Sequence, residues 1–579
     1  MYRRKFIGCL VTAGAALLAP RWVWGAKKRV AVTEFGADPS GKAESNRAVH
    51  EALAALSASG GTLVFPHGRY RFAPTAGSAM LLEHANGIEI DGDGSTLLFS
   101  GAMNSFQFTG CSDISVHDLS IDWDPLPFTQ GTVAASSERW FEVNIDPGHL
   151  VPADQPIAAF GNYDREHAVP AANFVDAYGA VDKVVAAGPR RVRLQLNRSM
   201  SLPVGAAAVL RLPMSHAVAV LASCRSVNFS RVHIYASPGA GIVGTCCRDM
   251  NLDTVEIAMP AGSGRLMSTC ADAMHFNGAS GTLAISHCRF HGMGDDAINI
   301  NAPFWKVVRR IDPRTIQVQA HGDVPVPAAS LPVAGDRIQF VSGKDLGEIG
   351  QATVSSVANV GSSTQLQFAE TVPAGTESDT LVADLNQSPR ATVSNCDFLG
   401  NRARGVVAHR DIEIADCRFS RCSMAGVLIA PDSIWMEGPT TRNVNIRKNQ
   451  FDGCHYAQPP IKEGTIVIDV MHTFSRRVPI KRAVNQGIQI TDNIINGGTT
   501  AISCRAATDV AIEGNRIGQS APRQAGPLDA IILDTITNAQ VANNAASPPG
   551  TIALADCDRT VVLRNNQGLK PVVAPEPRR

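Results

Sequence analysis

At 579 residues, with 52 Lys and Arg against 52 Asp and Glu, the chain carries no formal net charge; nothing in it resembles the basic face that nucleic-acid binding needs, and no acidic or basic tail suggests a charged partner. Fifty glycines and 34 prolines, beside only 6% aromatic residues, suit a turn-rich all-β protein. The length allows a large core and taken alone suggests several domains, an inference that repeat folds routinely break.

Residues 1–25 read as a signal peptide. Arg3-Arg4-Lys5-Phe6-Ile7 precedes an apolar run, Cys9 to Leu18, too short to span a bilayer, and Val23-Trp24-Gly25 or Ala26 offers a cleavage site. The paired arginines followed by Phe6 look like a twin-arginine export signal, so the expected destination is the periplasm or the exterior of a bacterium; an uncleaved anchor is the alternative. No later stretch reads as a membrane span, and no stable membrane insertion is expected after cleavage. Twelve cysteines remain once Cys9 is removed, without the spacing of a disulfide framework or zinc site, and they read as buried, inert thiols, the adjacent Cys246-Cys247 included.

Residues 26–121 form a cap and the first repeats. After Phe35-Gly36-Ala37-Asp38, a helix is predicted from about Ser45 to Leu56, with Ala48, Val49, Ala52, Leu53 and Leu56 on its apolar face. Gly60-Gly61 ends it and Thr62-Leu63-Val64-Phe65 reads as a strand. This opening resembles the N-terminal cap of the pectin-lyase-like superfamily, where an amphipathic helix covers the apolar end of a stacked β structure.

A repeat follows, apolar-x-apolar-x-x-(Val, Leu, Cys or Asn)-x-(Ile or Phe), seen in Ile114/Val116/Leu119/Ile121 and again through Leu283/Ile285/Cys288/Phe290 to Val510/Ile512/Asn515/Ile517. Its spacing of about 22 residues, with three short strands per turn, predicts a right-handed parallel β-helix. Asn449, Asn493 and Asn515 fall at one turn position, where stacked amides can form a ladder. Two intervals break the period. Residues 122–212 and 302–390 contain strand-like runs such as Arg191–Leu196 and Asp336–Val341, and they read as two small inserted β domains, expected to be barrels. They leave helix coils at 213–301 and 391–569, with 570–579 as a loose tail. Because the second insertion begins directly after Asn301, it is expected to wall the groove described next.

Ala271-Asp272-Ala273-Met274-His275-Phe276-Asn277 and Asp295-Asp296-Ala297-Ile298-Asn299-Ile300-Asn301 are one pattern written twice. Aligning Gly241-Ile242, Ala273-Met274, Ala297-Ile298, Gly405-Val406 and Gly426-Val427 as successive coils puts Ala240, Asp272, Asp296, Arg404 and Ala425 in one column, with Asp295 beside it. Small residues flank the charged ones, as an open groove requires. Arg404 holds one acid ionised while a crowded neighbour keeps its proton. Glycoside hydrolysis needs that division, one acid for the departing oxygen and one carboxylate for water or carbon. A single Asp at a bend would usually cap backbone N–H groups, and a calcium site is a further reading of clustered carboxylates, against which Arg404 argues.

At these residues the chain resembles glycoside hydrolase family 110, exo-acting α-1,3-galactosidases that remove terminal galactose, including that of the blood-group B determinant. The similarity rests on Ile121-Asp122-Trp123-Asp124-Pro125, Phe128-Thr129-Gln130-Gly131, the Asp272 and Asp295-Asp296 motifs, Asn401-Arg402-Ala403-Arg404-Gly405-Val406, and Ala425–Ile429 with Trp435-Met436-Glu437. It implies an inverting hydrolase acting on galactose-terminated oligosaccharides or glycoconjugates, without cofactor or metal, in which Asp272, Asp295 and Asp296 supply acid and base. His275 and Asn299 share an outward column suited to sugar hydroxyls, Trp435 can stack on a sugar face, and Glu437 can accept hydroxyls. The family pattern has Ser-Gly after the glutamate where this chain has Gly438-Pro439. A polygalacturonase-like hydrolase also uses one Asp followed by an Asp pair, but its Gly-His-Gly and Arg-Ile-Lys strings are absent here. A non-catalytic glycan-binding β-helix is the remaining alternative, disfavoured by three crowded acids.

Overall fold

The structure is a computed structural model that describes residues 28–573 apart from 75–76, 201, 214–215, 321–327, 458–463, 473–479, 499 and 520–528. Residues 1–25, read above as a signal peptide, therefore lie outside the described residues. Among the described residues, the coil strands join into one 34-stranded sheet whose neighbours pair in parallel, the short strand Glu437–Gly438 against Ala302-Pro303 excepted, and this is the wall of a parallel β-helix. The alternating apolar positions explain it. Val116, Phe229, Leu252, Ile285, Val393, Ile414, Ile446, Ile490, Ile512, Val541 and Leu563 form a single register column from coil to coil. A one-residue slip would turn that whole column to solvent, so the core fixes the register.

The helix Asn46–Ser57 buries Ala48, Val49, Ala52, Leu53 and Leu56 over the N-terminal end of the stack. The turn ladder is longer than the sequence pattern suggested. The side-chain oxygen of Asn493 accepts from the backbone N–H and the amide of Asn449, both at 3.0 Å, and the same relation links Asn515, Asn544 and Asn566. Toward the N-terminus the column continues as thiols: the Cys417 N–H donates to Asn449 Oδ1 (3.0 Å), and Cys417, Cys396 and Cys288 each send Sγ toward a carbonyl of the preceding coil. Phe290, Phe398, Phe419 and Phe451 stack inside at 4.4–5.0 Å between ring centroids. All twelve described cysteines are free.

Both insertions leave the helix without disturbing its register. The strand Ser112–Trp123 pairs directly with Arg225–Ile234, and Ser280–Ser286 pairs with Arg390–Ser394. Between the first pair lies an eight-stranded antiparallel sheet, Phe128–Arg211, with its own core around Phe141, Phe160, Val192 and Leu210. Its strand path runs from Val169–Pro170 to Val181–Gly188 without joining at the ends, so of the two insertions expected to be barrels only the second closes. That second domain, Trp305–Asp384, is a six-stranded barrel filled by Trp305, Ile316, Ile338, Phe340, Leu366 and Val382. The strand Gln567–Val573 runs into the segment read as a loose tail, because pairing with Gly550–Leu554 gives its backbone groups partners. No helix among the described residues is long and apolar enough to cross a membrane.

Candidate active site

The register places Met274 beside Ile242 and Ile298, and Ile298 beside Val406, so the residues two places earlier stack as Ala240, Asp272, Asp296 and Arg404. Backbone bonds at the bend tie the same levels: the Ala273 N–H donates to Asp296 O (3.0 Å) and the Ala297 N–H to Arg404 O (2.9 Å). Within this frame the Asp296 N–H donates to Asp272 Oδ1 (3.1 Å) and the Arg404 N–H to Asp296 Oδ1 (2.8 Å). Each acid thus caps the bend of the next coil through Oδ1, and the second oxygen of Asp272 is taken by His275.

One oxygen each of Asp272, Asp295 and Asp296 lies within 4.8 Å of the other two. Three full charges at that spacing would repel by roughly 3–4 kcal/mol per pair at an effective dielectric of about 20. Cations offset part of it. His275 Nδ1 bonds Asp272 Oδ2 (2.7 Å), Arg402 Nη1 donates to Asp295 Oδ1 (2.8 Å), and Arg404 Nη1 stands 3.8 Å from Asp296. Burial, only partly opposed by Arg404 and reinforced by Asp295 and Asp272, pushes the Asp296 carboxyl up to about 7. Burial also raises Asp272, against the bond from His275. Burial lowers His275, but the bond and charge of Asp272 outweigh it and carry the imidazole up to about 9. Asp272 and Asp296 therefore share their titration, and a proton is retained between them near neutral pH. Its oxygens are spaced closely enough to share a hard divalent cation, yet all three acids already face a guanidinium or an imidazolium, which such an ion would displace.

The remaining expected residues gather on the loop Asp432–Gly438. Asn299 Nδ2 donates to Glu437 Oε1 (3.2 Å), and the backbone of Glu437-Gly438 pairs antiparallel with Ala302-Pro303. Burial, against the nearby His275, lifts the Glu437 carboxyl to about 8. Trp435, on the same loop, is 54% exposed and available to a sugar face. The glycine of Gly438-Pro439 has a steric reason, since a Cβ there would meet the Phe304 ring at 2.5 Å. His275 is not an unengaged sugar ligand: besides Asp272 it approaches Asn301 Nδ2 at 3.2 Å, and Asn301 in turn donates to Asn299 Oδ1 (3.0 Å).

Several groups escaped the sequence reading. Arg402, not Arg404, is the close partner of Asp295, and it also pairs with Asp176. Asp432, buried and pushed up to about 6 by that burial, holds the loop through the N–H groups of Ile434 and Trp435. Tyr178 Oη lies 3.5 Å from Asp295 Oδ2. Tyr178 and Asp176 come from the first insertion, so it is that domain that reaches Asp295. The second insertion, expected to wall the acids, meets the site through its entry strand against Glu437. Arg402 sat within a quoted motif but off the column; nothing in the spacing marks Tyr178.

Fold and groove define a parallel β-helix protein with a carboxylate cluster at one bend column. No family model matches the chain. A protein of Bacteroides thetaiotaomicron named α-1,3-galactosidase B is 24% identical over 89% of this chain and 95% of its own length, and α-1,3-galactosidase A of Bacteroides fragilis is 24% identical over 81% of this chain and 83% of its own. These relatives bear out the resemblance read from the motifs. Among solved structures, a surface adhesin of Streptococcus pneumoniae aligns over 94% of this chain and 92% of its own at 13% identity and a TM-score of 0.41.

Proposed function

We propose that the chain is an exo-acting glycoside hydrolase that removes terminal α-1,3-linked galactose, with Asp272, Asp295 and Asp296 supplying the acid and the base. The observation that carries the reading is the cluster of three aspartates, one of them raised to about 7, facing Arg402, Arg404 and His275. It holds a proton-bearing acid and a charged carboxylate within one sugar's reach. Curated relatives named α-1,3-galactosidases supply the linkage and the sugar. Asn299, Glu437 and Trp435 are assigned to the galactose. Purified protein is expected to release galactose from α-1,3-galactobiose and none from an α-1,6 isomer. Galacturonate from polygalacturonate would instead mark a uronate hydrolase, and galactose binding without release a glycan-binding module.

Inversion is part of the proposal and rests on the motif resemblance. The cluster is tighter than the roughly 6.5–9.5 Å usual between acid and base in inverting enzymes. Inversion here therefore requires water seated beside the cluster, next to the more exposed Asp295, rather than between two facing carboxylates. Proton NMR of the first product should show β-galactose; α-galactose would establish retention. Export by the twin-arginine route is likewise proposed, from Arg3-Arg4 and Phe6. Replacing both arginines by lysine should leave the protein in the cytoplasmic fraction.

A further inference from the structure

Arg211 ends the last strand of the first insertion, Ala207–Arg211, and is 3% exposed. A buried guanidinium is costly unless its donors are used. Here Nη1 reaches Gly294 O (2.9 Å), Cys270 O (3.2 Å) and Tyr178 Oη (2.9 Å), and Nη2 reaches Asp176 Oδ1 (3.3 Å). Gly294 directly precedes Asp295, and Cys270 stands two residues before Asp272. One side chain from the insertion thus pins the bends of both acid-bearing coils. The approach is close enough that a Cβ on Gly294 would lie 2.3 Å from Cys270 O and 3.1 Å from Arg211 Nη1.

The same guanidinium lies 4.5 Å from the Tyr178 ring centroid, and Arg402 lies 5.2 Å from it. Asp176 bridges the two arginines, and Arg402 holds Asp295. Two guanidiniums and two carboxylates form a neutral quartet around one tyrosine. Without Arg211, Asp176 competes undivided for Arg402, and Asp295 loses its charge-assisted partner. We propose that Arg211 is a positioning residue, acting through Asp176 and Tyr178 to keep Arg402 on Asp295 and Asp295 at its fixed distance from Asp272 and Asp296. The inference rests on the hydrolase reading above and deepens it: the first insertion is a working part of the active site.

The test uses Arg211→Lys, Arg211→Met and Tyr178→Phe, with Arg165→Met as control, because Arg165 pairs with Asp146 within the same insertion. Lysine keeps the charge but has no second nitrogen to hold Asp176 while the first serves Gly294 O, Cys270 O and Tyr178 Oη. On an aryl α-galactoside, both Arg211 variants should lose about 10²-fold in kcat with KM little changed, because misplacing a reacting group by an ångström costs that much. The kcat–pH profile should shift in both, because Asp272 and Asp296, with Asp295, His275, Glu437, Arg402 and Arg404 around them, then meet a displaced charge at Asp295. Tyr178→Phe should fall between, and the control should match the parent. An Arg211→Met enzyme with parental kcat and pH profile would overturn the proposal, as would a loss that follows the folded fraction alone. If the parent itself cleaves no α-galactoside, the hydrolase reading fails, and a crystal structure of Arg211→Met still decides the positioning role: an undisturbed Arg402–Asp295 contact refutes it, and a displaced one upholds it.

Discussion

Asp296→Asn should abolish activity and at the same time stabilise the protein at alkaline pH. The native carboxyl is raised from 3.8 to about 7, whereas the unfolded chain titrates near the lower value. Below the lower value both states are protonated and the group contributes nothing to pH dependence. Between the two, the unfolded state gives up its proton and the native state keeps it, so stability falls as pH rises and levels off above about 7. The shift corresponds to about 4 kcal/mol as an upper bound, because Asp272 shares it. Asparagine keeps the acceptor for the Arg404 N–H (2.8 Å) and has no charge to bury. With an unfolding entropy of about 2 cal/mol/K per residue, each kcal/mol moves the midpoint of so long a chain by about 1 °C. Calorimetry at one scan rate should show the variant melting a few degrees above the parent at pH 8, the gap closing toward pH 4. An equal or lower midpoint at pH 8, or a gap independent of pH, would refute the argument that burial and crowding hold the proton there.

The other expectations concern the chemistry and the ladder. Asp272→Asn and Asp295→Asn should each lose about 10²–10⁴ in kcat; a substrate with an activated aryl leaving group should restore the variant lacking the acid, and azide the variant lacking the base, and rescue of neither would remove both from acid–base roles. Glu437→Gln should keep kcat within about tenfold at pH 6–7, because the native carboxyl, raised to about 8, is already neutral there; a loss as large as for the aspartates would show that its charge is used. Asn493→Ala removes the acceptor of the Asn449 bonds and the donor to Ile446 O and Asn515, and should cost about 2–4 kcal/mol in chemical denaturation, whereas Asn493→Cys, which imitates the thiol rungs, should cost less.

The helix was legible in the sequence because its coils stack residue on residue: a column counted in letters becomes a column in space, and so Asp272, Asp296 and Arg404 could be aligned before any coordinates. Asn299 and Glu437, each marked for sugar hydroxyls, lie in contact, which their separate motifs do not reveal. Arg402 was passed over because it stands two residues before Arg404, off the counted column, and reaches Asp295 from the bend. Tyr178, Asp176 and Arg211 were invisible for a different reason. They lie in a domain whose docking on the helix depends on tertiary packing, and no periodicity in residues 122–212 relates them to the acids. The cysteines were read as inert and buried; ten of twelve are buried, while Cys246 and Cys557 are partly exposed. The placement of Cys288, Cys396 and Cys417 on the asparagine column shows that a turn position wanting a small inward donor accepts either side chain.

The unbroken register across both insertions has a further consequence. Val116 meets Phe229, and Ile285 meets Val393, as though the residues between them were absent. The coil stack works as a ruler, fixing the interval between Asp272 and Asp296 by the rise of one strand over the next, whatever is attached at its margins. The second insertion can then change length, sequence or origin without recalibrating that pair, whereas the first carries Arg211, Asp176 and Tyr178, which bear on Asp295 beside it. The spacing of the stacked Asp272 and Asp296 can thereby be inherited unchanged while the outer surfaces of the insertions diverge.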